Sequence, residues 1–160
     1  MKTLMIHNIV EEMFDLPLEN YLLTFDDGTK DHYEYYPRFK NINTVKMYFI
    51  VSSFVGKPGY LDIDQIKELM NDPQVVVGGH SFSHTNLKSI DKLVDKIAHI
   101  QKDTDLMIEW FQNVLGFKPT AFCFPYNDDL KGIYTGLIKN KGISEVFGHE
   151  RIPVETLLHG

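Results

Sequence analysis

Cysteine is nearly absent from this chain. Cys123 is the only one in 160 residues, so no intramolecular disulfide can form. In the apolar string AFCFPY it reads as a small buried hydrophobe. Clustered basic charge is missing too. Lys and Arg number 16 against 22 Asp and Glu, for a net charge of −6. That balance speaks against nucleic acid and anionic membrane as partners. There is no long apolar run. The N-terminal MKTLMIHNIVEEMF is broken by His7, Asn8, Glu11 and Glu12, and reads as neither a signal peptide nor a membrane span. A cytoplasmic location, with an intracellular or precursor-level substrate, is therefore expected. Repeats, low-complexity tracts and long linkers are also lacking, so one domain over residues 1–160 is expected.

What is present alternates between strand and helix. Short runs rich in Val, Ile, Phe and Tyr recur at Thr3–Ile6, Tyr21–Phe25, Val45–Ser52, Val75–Gly78, Thr120–Phe124 and Glu145–Phe147. Helical patterns lie between them. Asp31–Arg38 is weak and limited by Pro37. In Asp62–Asn71, Ile63, Ile66, Leu69 and Met70 share a stripe that Asp62 or Asp64 can cap. Ser89–Leu115 is the longest, with Ile90, Leu93, Val94, Ile97, Ile100, Leu106, Ile108, Phe111 and Leu115 broadly at helical spacing, ended by Gly116 and Pro119. Asp129–Lys139 is the fourth. Such alternation predicts an α/β fold of parallel β/α units. Functional side chains of these folds gather at the C-terminal ends of the strands.

Three polar strings fall just there: TFDDG at Thr24–Gly28, GGHSFSH at Gly78–His84 and FPYND at Phe124–Asp128. His80 and His84 are four apart, a spacing that on a helical turn sets both rings on one face for a single ion. Alone, an H-x₃-H pair is weak evidence, since helices carry such pairs by chance. Adjacent carboxylates at a sheet rim repel one another, although Asp-Gly is also a common turn dipeptide. Taken together, two imidazoles and one carboxylate make a three-ligand site with a position open for water, and leave the other carboxylate as a base. That ligand set suits Zn²⁺, the ion expected here, and also Co²⁺, Ni²⁺ or Fe²⁺.

TFDDG and HSFSH resemble the first two motifs of the polysaccharide deacetylase (NodB-homology) family. FCFPYND resembles its third, and MYFIVSSFVGKPGYLDIDQIKELMND its usual connection. GHERIPVE is similar to the ending of one subgroup. The resemblance implies a distorted, incomplete (β/α) barrel and metal-dependent N-deacetylation of an N-acetylamino sugar, in a polysaccharide or its precursor. It implies Asp27, His80 and His84 as metal ligands, Asp26 as general base and the backbone N–H of Tyr126 as oxyanion donor. Leu4–Met5–Ile6–His7 resembles the opening strand of the circularly permuted biofilm-polysaccharide deacetylases, which makes His7 the leading general acid, ahead of His159 in Leu157–Leu158–His159 and of His149.

The chain departs from the family pattern at two places. No Arg precedes Pro-Tyr, where Phe122, Cys123 and Phe124 stand, and Asn127 follows the Tyr in place of Gly. Arg151 is a candidate to replace the missing Arg by pairing with Asp26. For the sugar, Tyr126 is the first candidate, with Pro125 and Phe82 beside it; Tyr33, Tyr35, Tyr36 and Trp110 are further aromatics, Trp110 reading mainly as core. Two other functions compete: a catalytically inactive relative that keeps metal and sugar binding, and a metal-dependent amidase acting on a non-sugar, cyclic amide.

Overall fold

A computed structural model describes residues Met1–Gly160. Seven strands, all parallel, form one sheet: β1 (Lys2–Ile6), β2 (Tyr21–Asp27), β3 (Lys46–Ile50), β4 (Val75–Gly79), β5 (Ala121–Cys123), β6 (Glu145–Phe147) and β7 (Ile152–Pro153). Their order is β6-β5-β4-β3-β2-β1-β7. The two edges, β6 and β7, are consecutive in sequence and joined only by residues 148–151. Fully extended, that link spans about 17 Å. The sheet must therefore curl until its edges nearly meet, and it is an incomplete (β/α) barrel.

Six helices accompany it: α1 (Lys30–Glu34), α2 (Tyr36–Phe39), α3 (Ile63–Leu69), α4 (Leu93–Trp110), α5 (Ile133–Asn140) and α6 (Val154–His159). Asp62 caps α3, accepting the Gln65 N–H at 2.8 Å while Gln65 accepts the Asp62 N–H at 3.0 Å. α4 starts later than its apolar pattern suggests and ends in one π turn before the left-handed Gly116. Its buried face is also not the expected one. Ile100, Asp103, Thr104 and Met107 are buried, whereas Leu93, Val94 and Leu106 are exposed. The cause lies in β4. A Cβ on Gly79 would collide with the Met107 thioether, so the glycine lets α4 settle onto the strand along that stripe. None of the six helices is long and apolar enough to cross a membrane.

Side chains alternate between two cores. Leu4, Ile6, Leu23, Phe25, Tyr48 and Val77 face the helices in the main core, with Phe25 and Tyr48 stacked at 4.6 Å. Met47, Phe49, Ala121 and Cys123 form a smaller cluster inside the curl, with Leu22, Val76 and Phe147 packed against it. The inward parity continues to the C-terminal rim. Along β2 it runs through Leu22, Thr24 and Asp26, and beyond β4 it reaches His80.

Candidate active site and metal centre

At that rim lies a cavity of about 150 Å³. Asp26, Asp27, His80 and His84 line one part of it; His7, Phe124, Tyr126 and Asn127 complete it. Of the residues singled out from sequence, the structure brings together His7, Asp26, Asp27, His80, His84 and Tyr126. His80 and His84 do not lie on a helical turn. β4 ends at Gly79 and the pair brackets an irregular loop in which Ser81 and His84 have left-handed backbones, φ 65° and 55°.

Asp26 and Asp27 should point to opposite faces of β2. Asp27 instead has φ 85°, which turns its carboxylate into the same cavity. Such a conformation is uncommon away from glycine and costs on the order of 1–3 kcal/mol. Nε2 of His80 and of His84 stand 3.1 and 3.2 Å from Asp27 Oδ1. That oxygen is buried and has no aligned hydrogen-bond donor. Ligands of a tetrahedral ion with bonds of about 2.0–2.1 Å lie about 3.3 Å apart. The three atoms therefore fit a divalent ion in number, chemistry and spacing. Nδ1 of His80 is 2.7 Å from the Cys123 carbonyl, which sets the tautomer with Nε2 free to ligate. Burial pushes the Asp27 carboxyl up, but the two imidazoles beside it more than offset this and hold it below the usual range.

Asp26 is buried and met by Arg151. The Arg151 guanidinium uses all its N–H groups: Nε donates to the Gly148 carbonyl at 2.9 Å, Nη1 to Thr24 Oγ1 at 3.0 Å and to Asp26 Oδ1 at 2.8 Å, and Nη2 to Asp26 Oδ2 and Asn127 Oδ1, both at 2.8 Å. Burial raises the Asp26 carboxyl, yet the Arg151 hydrogen bonds and the charges of His80, Arg151 and His7 bring it below the ordinary value. Arg151 sits on the short link between the sheet edges, and its side chain reaches back across the gap. Of the three residues before Pro-Tyr, only Cys123 turns toward Asp26, its thiol 3.6 Å from Oδ2; burial pushes that thiol up, so it is neutral. Phe122 and Phe124 join the main core. Asn127 has φ 54°, a conformation that favours Gly and that Asn tolerates better than most residues, and its side chain also anchors Arg151.

His7 Nε2 lies 3.6 Å from Asp26 Oδ2, and its side chain is 41% exposed. Two residues with no visible motif hold its loop. His32, fully buried, donates from Nε2 to the His7 carbonyl at 2.5 Å, and Asp31 accepts the Ile9 N–H at 2.9 Å. Burial keeps His32 neutral, lowering its basicity despite that carbonyl. His159 lies elsewhere, in a cavity with Asn8 and Val10, and His149 is on the exposed part of the β6–β7 link.

The aromatic candidates divide. Tyr126, φ 60° and largely exposed, stands at the mouth with its ring 4.8 Å from His84. Pro125 is buried behind it. Phe82 does not line the cavity of Asp26 and Asp27 but another against α4, where its backbone N–H is held by Asp103 at 2.8 Å. Tyr33 and Tyr36 bond Glu68 and Asp72, and Tyr35 stacks on Phe14, since α1 and α2 lead away from the rim. Trp110 packs partly buried against the main core.

A family model described as polysaccharide deacetylase matches residues 17–143. The chain belongs to the polysaccharide deacetylase family. No curated protein sequence matches it significantly. Among solved structures it is similar to IcaB from Ammonifex degensii (20% identity, 96% of this chain and 87% of that one, TM-score 0.79). It is also similar to a de-N-acetylase from Aggregatibacter actinomycetemcomitans (16% identity, 92% and 76%, TM-score 0.67). A third, BA3943 from Bacillus anthracis, is described as a CE4 family pseudoenzyme (15% identity, 92% and 42%, TM-score 0.54). At these identities the likeness is one of fold.

Proposed function

We propose that this polysaccharide deacetylase family member is a metal-dependent hydrolase that removes the acetyl group from an N-acetylamino sugar, in a polysaccharide or its precursor. One observation carries the reading. A single cavity holds a three-atom ligand set, Asp27, His80 and His84, beside a separate carboxylate and imidazole, Asp26 and His7. The ion is Zn²⁺ by this reading, with Co²⁺, Ni²⁺ or Fe²⁺ compatible. When bound, it acidifies a water and polarises the acetyl carbonyl.

The chain's own residues do the rest. Arg151 keeps Asp26 ionised, and Asp26 accepts the proton of the attacking water. The Tyr126 N–H donates to the oxyanion that develops on the acetyl oxygen. His7, protonated, gives its proton to the departing nitrogen, so the amine leaves neutral. At about 150 Å³ the cavity admits an acetamido group and little more. The sugar ring then lies across the mouth, where the exposed Tyr126 offers a face for its C–H groups. Acid and base need opposite protonation states, so a bell-shaped pH–rate profile is expected.

The test is acetate release from N-acetylglucosamine oligomers, and from a nucleotide-linked N-acetyl sugar, by metal-stripped protein with and without added Zn²⁺ or Co²⁺. Metal-dependent release supports the reading. Metal binding without acetate from either substrate favours an inactive sugar-binding relative or an amidase for a non-sugar amide, and overturns it.

A further inference from the structure

The loop between His80 and His84 is held from outside the cavity. Asp103, on α4, is 4% exposed. Both its oxygens are spent on this loop: Oδ2 accepts the Phe82 N–H at 2.8 Å and Oδ1 the Ser83 hydroxyl at 2.5 Å. Ser83 Oγ is also 2.7 Å from Thr85 Oγ1. A buried carboxylate is costly unless its oxygens are satisfied; here both hydrogen bonds come from this loop, and the one other polar neighbour is His99 on α4, its Nε2 3.9 Å from Oδ1. The reach follows from packing. Met107 sits against Gly79, and Asp103, four residues earlier on the same face of α4, comes level with the loop.

The two histidines depend on this unequally. His80 is fixed without Asp103: its N–H donates to the Ile50 carbonyl at 2.9 Å and its ring is held by Cys123. His84 is itself left-handed and follows the left-handed Ser81, and its own N–H reaches only Ser81 Oγ, at 2.8 Å. On the β3 side the Ser52 and Ser53 N–H groups hold only the Ser81 and Phe82 carbonyls, at 3.3 and 3.0 Å. Without Asp103 the Phe82 N–H and Ser83 lose their anchor, and the segment leading to His84 is freer to relax and carry it away from Asp27.

We propose that Asp103 is a positioning residue for the candidate metal centre, clamping Phe82 and Ser83 so that His84 faces Asp27 beside His80. This rests on the metal reading above. The experiment is a Co²⁺ titration of metal-stripped full-length protein, followed by visible absorption, for wild type, Asp103→Ala, Asp103→Asn and Ser83→Ala. Asp103→Ala should weaken Co²⁺ binding 10- to 100-fold, roughly the range for lost outer partners of metal ligands. Asp103→Asn keeps an acceptor for the Phe82 N–H and should recover most of the affinity; Ser83→Ala should lose a few-fold. Far-UV circular dichroism checks that each variant is folded. A folded Asp103→Ala that binds Co²⁺ as wild type does, with the same absorption band, overturns the proposal. If Asp103→Ala does not fold, unchanged affinity in both Asp103→Asn and Ser83→Ala overturns it instead. Wild-type protein that takes up no Co²⁺ overturns the metal reading, and this one with it.

Discussion

Asp26 and Asp27 are neighbours in sequence and opposites in surroundings. Asp26 keeps ordinary strand geometry, points into the curl and is gripped by a guanidinium. Asp27 leaves strand geometry and presents a buried, unpartnered oxygen to two imidazoles. A carboxylate already held by a buried Arg is a poor place for a cation to bind. One left facing two imidazole nitrogens, with no donor aligned on it, is a good one. A pair of identical side chains is thus divided by what the fold brings to each: the β6–β7 link brings Arg151 to one, and the loop after β4 brings His80 and His84 to the other.

Exchanging the two roles by mutation gives the largest contrast. Asp27→Ala should bring metal content to background and abolish acetate release with it. Asp26→Asn should keep the metal and lower turnover by about 10²–10⁴-fold, the usual worth of a general base. Metal content by atomic emission, measured beside kcat, reads both. If Asp26→Asn loses the metal, or Asp27→Ala retains it, the assignment is reversed.

Arg151→Met is expected to act next most strongly, and on stability as well as rate. Leaving Asp26 buried without its partner costs about 3–5 kcal/mol near neutral pH. The sign with pH follows from the depressed Asp26 value. In the wild type the pair's contribution is complete above the ordinary carboxylate value of about 3.9 and is lost as pH falls through the lower folded value. In the variant only burial and weaker charges act on Asp26, so it takes up a proton at higher pH and part of the penalty is relieved. The gap between wild-type and variant urea midpoints should therefore be widest near neutrality and narrow on acidification. The acid limb of kcat/KM should move to higher pH. A gap that stays constant from pH 4 to 8 would show that Arg151 acts by packing alone.

Much of this division can be read from residues alone. The inward parity of Leu22, Thr24 and Asp26, the two glycines before His80 and the placement of polar strings after strands are sequence-local and survive in the structure. What depends on the closing of the sheet is harder to read: Arg151 is a candidate partner for Asp26 from the sequence, and the structure pairs them, but nothing in the spacing of residues requires it. β7 has two residues, too few for periodicity to register, yet it positions the link that carries Arg151. The curl is what brings residue 151 to residue 26. Asp103 lies among Lys102, Thr104 and Asp105 and reads as solvated helix surface, because its burial comes from a glycine on another element. His32 is equally silent: one imidazole in a weak helical pattern, whose partner is the backbone of His7. Phe82 is misplaced from sequence for the same reason, its direction being set by Asp103 and not by the histidines on either side.

The smallest expected effect tests how the Pro-Tyr loop joins the Asp26 half. Asn127 combines two contributions, a left-handed backbone and a hydrogen bond to Arg151 Nη2, and two substitutions separate them. Asn127→Gly keeps the backbone at ease and removes only the side chain, leaving one guanidinium N–H short of a partner at the edge of a cavity that water can reach. A loss of about 1 kcal/mol is expected, with turnover reduced less than about tenfold. Asn127→Ala removes the same bond and adds the cost of a left-handed alanine, about 1 kcal/mol more. Alanine should thus be the worse of the two in thermal or urea melts, although it is nearer to Asn in size. If glycine proves equal or worse, the backbone at residue 127 is not the reason this position departs from the usual side chains, and the bond to Arg151 alone accounts for the Asn.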